Sequence, residues 1–340
     1  MNARRLRASL RGWGGVAAMA VVCALAAVFA LLLPVAQSRG VDVPDAAGRG
    51  AAHVEQVRAE ECTDPEKRSL DPSSGEVNGR TVQAIRTRGY LIVGVDQNSY
   101  RFGYRDPNNT SGKAELEGFD IDLVHAIADG IVGKKDNNVR FRAIPTDQRI
   151  PAIKGGKVDM VVRTMTINCE RLDDVAFSSP YFETGQQVLA PKKSDITGYD
   201  TSLAGRRICT AAGSTAFSAL EAGKEDGTLV ASADFEKRTV PNQLDCLVRL
   251  QLGEVDAVVT DSALAASQAA QDPTVQLKGE PFTDEYYGVA MKKDADDLVR
   301  RVNQILVDYR KDGWQKSYDE WLAAGLGPSS GPPPVEYGQS

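Results

Sequence analysis

The sequence predicts an α/β fold of two similar lobes with a ligand cleft between them. Strand and helix patterns alternate from Tyr90 to Ala324, and the passage Ile150 to Thr164 reads like the passage Leu247 to Asp261. Both passages run helix, Gly-x-Val-Asp, then a Val-rich strand that ends in polar residues. In open α/β sheets ligands sit outside the carboxyl ends of strands, where Thr164, Thr166, Thr260 and Asp261 fall.

The elements follow in order. Arg4, Arg5, Arg7 and Arg11 precede an uncharged, mostly apolar run from Trp13 to Ala36, long enough to cross the roughly 30 Å hydrocarbon core as a helix. The basic flank keeps the start in the cytoplasm, so the remainder faces outward. Pro34-Val35-Ala36 is a poor cleavage signal and Cys23 after Val21-Val22 makes no lipobox, so residues 1–36 read as an uncleaved anchor; a cleaved signal peptide is the alternative. Residues 37–79 lack apolar periodicity and read as a tether. The 327–340 tail, with its GPSSGPPP run, reads as disordered.

Between them, Tyr90 to Val95 is a buried-strand run, Asp120 to Ile131 has helical spacing, Val139 to Ala143 alternates, Arg149 to Lys154 opens a helix and Val158 to Val162 is a strand. A second set follows: strand Arg207 to Ala211, helices Thr215 to Ala222 and Asn242 to Leu252, and strand Val255 to Thr260. Helices Asp296 to Lys311 and Trp314 to Ala324 close the fold. This places one lobe at 80–190 and 282–326 and the other at 191–281. Asp159 and Asp256 precede their strands and read as turn acceptors after a Gly cap. Asp261 instead leaves its strand at the cleft and reads as functional.

With 340 residues, 25% charged and 42% hydrophobic, the chain holds about two domains at roughly 150 residues each. A net charge of −6 without a basic stripe beyond the first dozen residues excludes a nucleic-acid footprint. The two histidines, His53 in the tether and His125 in a helical pattern, starve most hydrolase and zinc chemistry, and neither is placed in a site. Outside Cys23, the four cysteines form an even set in an oxidising compartment. Cys209 and Cys246 share one lobe and are paired, which leaves Cys62 to tie the N-terminal extension to Cys169. A metal site is the alternative, but no CxxC spacing supports it.

The motifs Leu91-Ile-Val-Gly-Val-Asp96, Gly118-Phe-Asp-Ile-Asp122, Arg149-Ile-Pro-Ala-Ile153, Thr164-Met-Thr-Ile-Asn-Cys-Glu-Arg171, Phe177-Ser-Ser-Pro-Tyr181, Gly213-Ser-Thr215 and Asp256-Ala-Val-Val-Thr-Asp261 resemble those of the type 3 solute-binding proteins. These are the amino-acid receptors of ABC importers, and the likeness runs from Val82 to Leu326. It implies a two-lobed periplasmic-binding-protein-like (type II) fold, a monomer that binds an amino acid without a cofactor or metal, and an ABC permease as partner. A few actinobacterial relatives instead report to a membrane sensor that controls a serine/threonine kinase, and the resemblance leaves uptake and sensing open.

By the same resemblance Arg171 holds the α-carboxylate through two parallel hydrogen bonds, Thr166 and Thr164 assist, and Gly213 and Thr215 offer a helix start to the anion. Asp261 takes the ammonium. Arg149 matches a position where glutamate and aspartate binders read the distal carboxylate, with Arg101 assisting. Asp96 stands where an amide-binding member reads a side-chain amide, so Arg149 either neutralises Asp96 or sorts an amide with it; the resemblance is read as favouring glutamate or aspartate, with glutamine or asparagine as the alternative. Tyr100, Phe102 and Tyr104 wall the cleft or belong to the core. A dehydratase-like enzyme on the same scaffold is the alternative of another class. Asp96 and Glu170 are its acid or base candidates, and no catalytic residue is assigned.

Overall fold

The computed structural model describes residues 62–73, 79–106, 108, 115–229 and 231–338. Within them the chain forms α1 (Arg80–Arg88), β1 (Leu91–Val95), α2 (Phe119–Val132), β2 (Val139–Ala143), α3 (Arg149–Lys154), β3 (Met160–Val161), α4 (Cys169–Asp174), β4 (Val175–Phe177), β5 (Phe182–Thr184) and β6 (Gln186–Pro191). It continues as β7 (Ile208–Ala211), α5 (Thr215–Asp226), β8 (Thr239–Val240), α6 (Gln243–Gln251), β9 (Ala257–Asp261), α7 (Ser262–Gln271), β10 (Val275–Lys278), β11 (Glu285–Tyr287), β12 (Ala290–Lys292), α8 (Asp296–Tyr309) and α9 (Gly313–Trp321).

Two five-stranded sheets repeat one plan, β2-β1-β3-β12-β4 and β8-β7-β9-β6-β10. In each, three parallel strands are followed by an antiparallel one, β12 or β6. Each antiparallel strand enters its sheet straight from a chain crossing. The crossings, β5 and β11, pair with each other, Glu285 opposite Thr184 and Tyr287 opposite Phe182. They form the ladder that joins the lobes.

Each sheet buries both faces. In the first lobe β1 and α2 carry a core around Val93, Leu123 and Ile127, and Ile153, Val161 and Phe177 fill the opposite side. In the second, Val188, Ile208 and Phe235 cover one face and Leu189, Leu247 and Val258 the other. The near-continuous apolar strands reflect this two-sided burial. The repeated Asp does the same work twice: Asp159 accepts from Ile92 N at 2.7 Å and pairs with Arg88, while Asp256 accepts from Arg207 N at 2.8 Å and pairs with the Arg207 side chain. Each carboxylate fastens its turn to the neighbouring parallel strand, at β1 itself or at the residue that leads into β7.

Three expected boundaries shift. Gln186–Pro191 belongs to the second lobe rather than to 80–190, because Val188 and Leu189 are fully buried between β9 and β10. Phe282 stacks on Tyr199 with ring centroids 3.8 Å apart, so the second lobe runs past 281. The tail is not disordered over its described part. Pro333 is buried and accepts from Arg310 Nη1 at 2.6 Å, and Gly338 N donates to Ser69 O at 3.0 Å. Proline has little backbone freedom to lose, so a Pro-rich segment docks at low entropic cost once its carbonyls find donors.

The end of the expected tether is likewise a strap. Cys62 is bonded to Cys169, Ser69 Oγ donates to Phe177 O at 2.9 Å, and Asn303 Nδ2 donates to Ser69 Oγ at 2.8 Å. The structure also joins Cys209 to Cys246. The expected anchor and most of the tether lie outside the described residues. Among the described residues no helix is long and apolar enough to cross a membrane.

Candidate functional site

The loop after β3 aims one guanidinium into the cleft. Thr164 sits at φ 40°, a left-handed conformation that costs a β-branched residue on the order of 1 kcal/mol or more, and its N–H donates to buried Asp120 at 3.0 Å. Asn168 then caps α4 by accepting from Arg171 N at 2.9 Å, and the Cys62–Cys169 bond holds the same turn. Arg171 is thereby set with Nη1 donating to Thr166 O at 2.7 Å and Nη2 to Gly213 O at 3.2 Å.

Arg149, the first residue of α3, arrives from the other side. Its Nε donates to Thr146 O at 2.8 Å and its Nη2 to the same Gly213 O at 3.2 Å. Two guanidiniums of the first lobe thus meet one carbonyl of the second. Both side chains are buried, and neither has a carboxylate of the described residues at ion-pair distance. Burial first, then Arg171 and Arg163, hold Arg149 well below the ordinary arginine range; burial also lowers Arg171. With Met165, Asn168 and Gly213 they line a recess of about 180 Å³.

Gly213 makes this approach feasible. Its φ is 71°, and a Cβ there would meet Asp147 Cα at 3.0 Å. Ser214 caps α5 by accepting from Phe217 N at 3.2 Å, which presents Thr215 to the cleft. Thr166 Oγ1 and Thr215 Oγ1, one from each lobe, both donate to Glu285 Oε2, at 2.5 and 2.8 Å.

Asp261 ends β9 opposite Gln186 of β6 and does not cap α7, so its carboxylate stays in the cleft. Gln186 Nε2 donates to Asp261 Oδ1 and, at 2.9 Å, to Glu285 Oε1. Burial and then the charge of Glu285 push Asp261 up to about 7, against the pull of Tyr287, Gln186 and Arg149.

The structure therefore gathers Arg171, Arg149, Asp261, Thr166, Thr215 and Gly213, with Thr164 in the supporting loop. Asp96 is a correction. Its partner is fully buried Arg163 at 2.9 Å rather than Arg149, and Ser99 Oγ, Gln97 N and Asn98 N donate to it as well. With its lone pairs taken, Asp96 is a fastening of the β1 turn. Arg163 in turn reaches Asn242 Oδ1 of the second lobe at 3.0 Å.

Arg101 and Tyr100 also lie away from the guanidinium pair. Arg101 stacks 5.1 Å over the Tyr100 ring, and Tyr100 lines a separate recess with Gln97, Tyr104 and Leu244. Phe102 is fully buried against Phe119 and Phe182 and Tyr104 stands edge-on to Tyr100 at 5.0 Å, whereas Glu170, exposed at the start of α4, lines the recess of Arg149 and Arg171. Glu285, Gln186, Tyr287 and Arg163 escape the sequence reading. The one sequence signal at the crossing is Glu285 and Tyr287 at strand spacing before Gly288.

Residues 91–324 match the bacterial extracellular solute-binding proteins, family 3. The chain is 32% identical over 257 residues to the ABC transporter glutamine-binding protein GlnH of Bacillus subtilis, covering 75% of this chain and 89% of that one. It is 34% identical to the glutamine-binding protein of Geobacillus stearothermophilus over 67% of this chain and 80% of that one. A solved ancestral arginine-binding protein bound to arginine superposes with a TM-score of 0.61 at 35% identity, over 69% of this chain and 99% of that one. The two-lobed sheets and the extent of these matches place the chain in one family: it belongs to the bacterial extracellular solute-binding proteins, family 3.

Proposed function

We propose that the cleft binds an amino acid with a second carboxylate, glutamate or aspartate, outside the membrane, and hands it to an ABC permease or reports it to a membrane sensor. The observation that carries this is the convergence of Arg149 and Arg171 on Gly213 O without a carboxylate partner. A buried guanidinium without an anion costs several kcal/mol, and two side by side add their repulsion. An α-carboxylate on Arg171 and a side-chain carboxylate on Arg149 relieve both through charge-assisted bonds, taking the place of Gly213 O as the acceptor on each Nη2. Asp261 takes the ammonium, and Thr166 and Thr215 close on the ligand from opposite lobes.

The names of the two glutamine-binding relatives favour an amide ligand instead. Against it, Asp96, which the family resemblance offers to an amide, is occupied by Arg163, Ser99 and two backbone N–H groups. Calorimetric titration of refolded protein tests the choice. Glutamate or aspartate is expected to bind at least about tenfold more tightly than glutamine or asparagine, a difference of about 1.4 kcal/mol. The reverse order overturns the acidic reading.

A further inference from the structure

We propose that Glu285 joins Asp261 and Thr215 in an ammonium pocket, and that the Gln186 carboxamide is the internal group which a ligand's ammonium displaces. This rests on the reading of the cleft as an amino-acid site, but not on the choice between acid and amide.

The argument begins with Gln186, which is 1% exposed. Its Nε2 lies 2.9 Å from Glu285 Oε1 and 3.1 Å from Thr215 Oγ1, and it donates to Asp261 Oδ1 as well. A carboxamide nitrogen carries two N–H donors, yet three acceptors surround it. At its other end Gln186 Oε1 is buried and finds no donor. The amide is mismatched at both ends. An ammonium has three N–H donors, no acceptor to leave orphaned, and a charge that two facing carboxylates balance.

Glu285 gives this pocket a link to closure. It comes from β11, the crossing strand paired with β5, rather than from either sheet's own strand ends. Its Oε2 accepts from Thr166 of one lobe and Thr215 of the other, while Oε1 accepts from Thr283 Oγ1 at 3.1 Å and from the Gln186 nitrogen. A cation at that nitrogen's place is held by both lobes and by the crossing at once. Around Asp261 the charged and titratable groups are Glu285 and Tyr287 on β11, Arg149 on α3 and Arg171 on α4; Glu285 is the one whose charge raises Asp261 most.

The test compares full-length wild type, E285Q and Q186A for L-glutamate and for glutarate, which has the same two carboxylates and no ammonium. E285Q is expected to lose at least about tenfold in glutamate affinity while glutarate binds as tightly as to wild type or more tightly, since the Glu285 charge also acts on Arg171, and to shift the pH midpoint of glutamate binding downward. Q186A is expected to bind glutamate as tightly as wild type or up to several-fold more tightly. Wild-type glutamate affinity in E285Q, an equal loss of glutarate, or a weakened Q186A overturns the pocket. If wild type prefers glutamine, the acidic reading falls, and the same comparison with glutamine and its deamino analogue glutaramate decides the pocket.

Discussion

Arg149 and Arg171 donate to the same carbonyl oxygen, that of Gly213, each at 3.2 Å, although they start from different helices of the first lobe and the acceptor belongs to the second. A neutral carbonyl cannot balance two guanidiniums. The arrangement therefore holds an electrostatic cost that the proposed dicarboxylic ligand would remove, and binding of such a ligand is expected to add stability as RT ln(1 + [L]/Kd), roughly 2.7 kcal/mol at a hundredfold excess.

Removing Arg171 separates binding from stability. Arg171→Ala is expected to cost at least about 2 kcal/mol of binding, since the ligand loses a charged bidentate partner. Arg171→Met, which fills the volume without the charge, is expected to melt close to the wild-type temperature without ligand, because the relief of a buried guanidinium that lacks an ion pair offsets the loss of its bonds to Thr166 O and Gly213 O and of its attraction to Glu285 and Asp261. A ligand-free melting point several degrees lower contradicts a guanidinium held at an electrostatic cost for the ligand.

Arg149→Met tests side-chain reading. Glutamate affinity is expected to fall far more than glutamine affinity, because only glutamate places a charge there. An equal loss for both ligands removes the role.

The pH dependence follows from Asp261. Its carboxyl is pushed from 3.8 up to about 7 by burial and Glu285, with Tyr287, Arg149 and Arg171 also facing it. A group raised in the folded state contributes stability below its unfolded value, and that contribution is lost as pH rises through about 7. Asp120, also raised to about 7 by burial, acts in the same direction. Ligand-free protein is therefore expected to melt higher at pH 5.5 than at pH 8 as far as these groups decide. Glutamate binding has the opposite slope: its ammonium requires the Asp261 carboxylate, so affinity rises by up to about tenfold per pH unit below 7 and levels above it. Affinity that is flat from pH 5 to 8 contradicts the assignment.

The Cys62–Cys169 bond closes a sequence separation of 107 residues and ties the strap to the turn that carries Arg171. Replacing both cysteines by serine is expected to cost about 2–5 kcal/mol, read by urea denaturation of the ligand-free protein. An unchanged midpoint would show that the strap adds nothing to the first lobe.

Much of the fold is legible because its strands are apolar on both faces and its helices amphipathic. The paired Gly-x-Val-Asp turns announce two copies of one unit. Thr166 and Asp261 are placed near the cleft for a different reason, since each stands at a strand exit where a sheet end presents side chains, whereas Arg171, Arg149 and Thr215 are singled out only by the family resemblance. Glu285 and Gln186 carry neither mark. Glu285 lies on the short crossing strand β11 and Gln186 opens β6 straight after the other crossing, and the place of both is set by long-range pairing, β5 with β11 and β6 with β9. Asp96 misleads because its position at the end of β1 suits a ligand contact, and the residue that occupies it, Arg163, follows β3 at long sequence distance.

The most direct test of the central claim is a thermal-shift screen of the full chain, denatured and refolded to strip bound ligand, against the twenty amino acids. Glutamate and aspartate are expected to give the largest upward shifts. A shift with glutamine or arginine and none with glutamate would contradict the role given to Arg149 and Arg171.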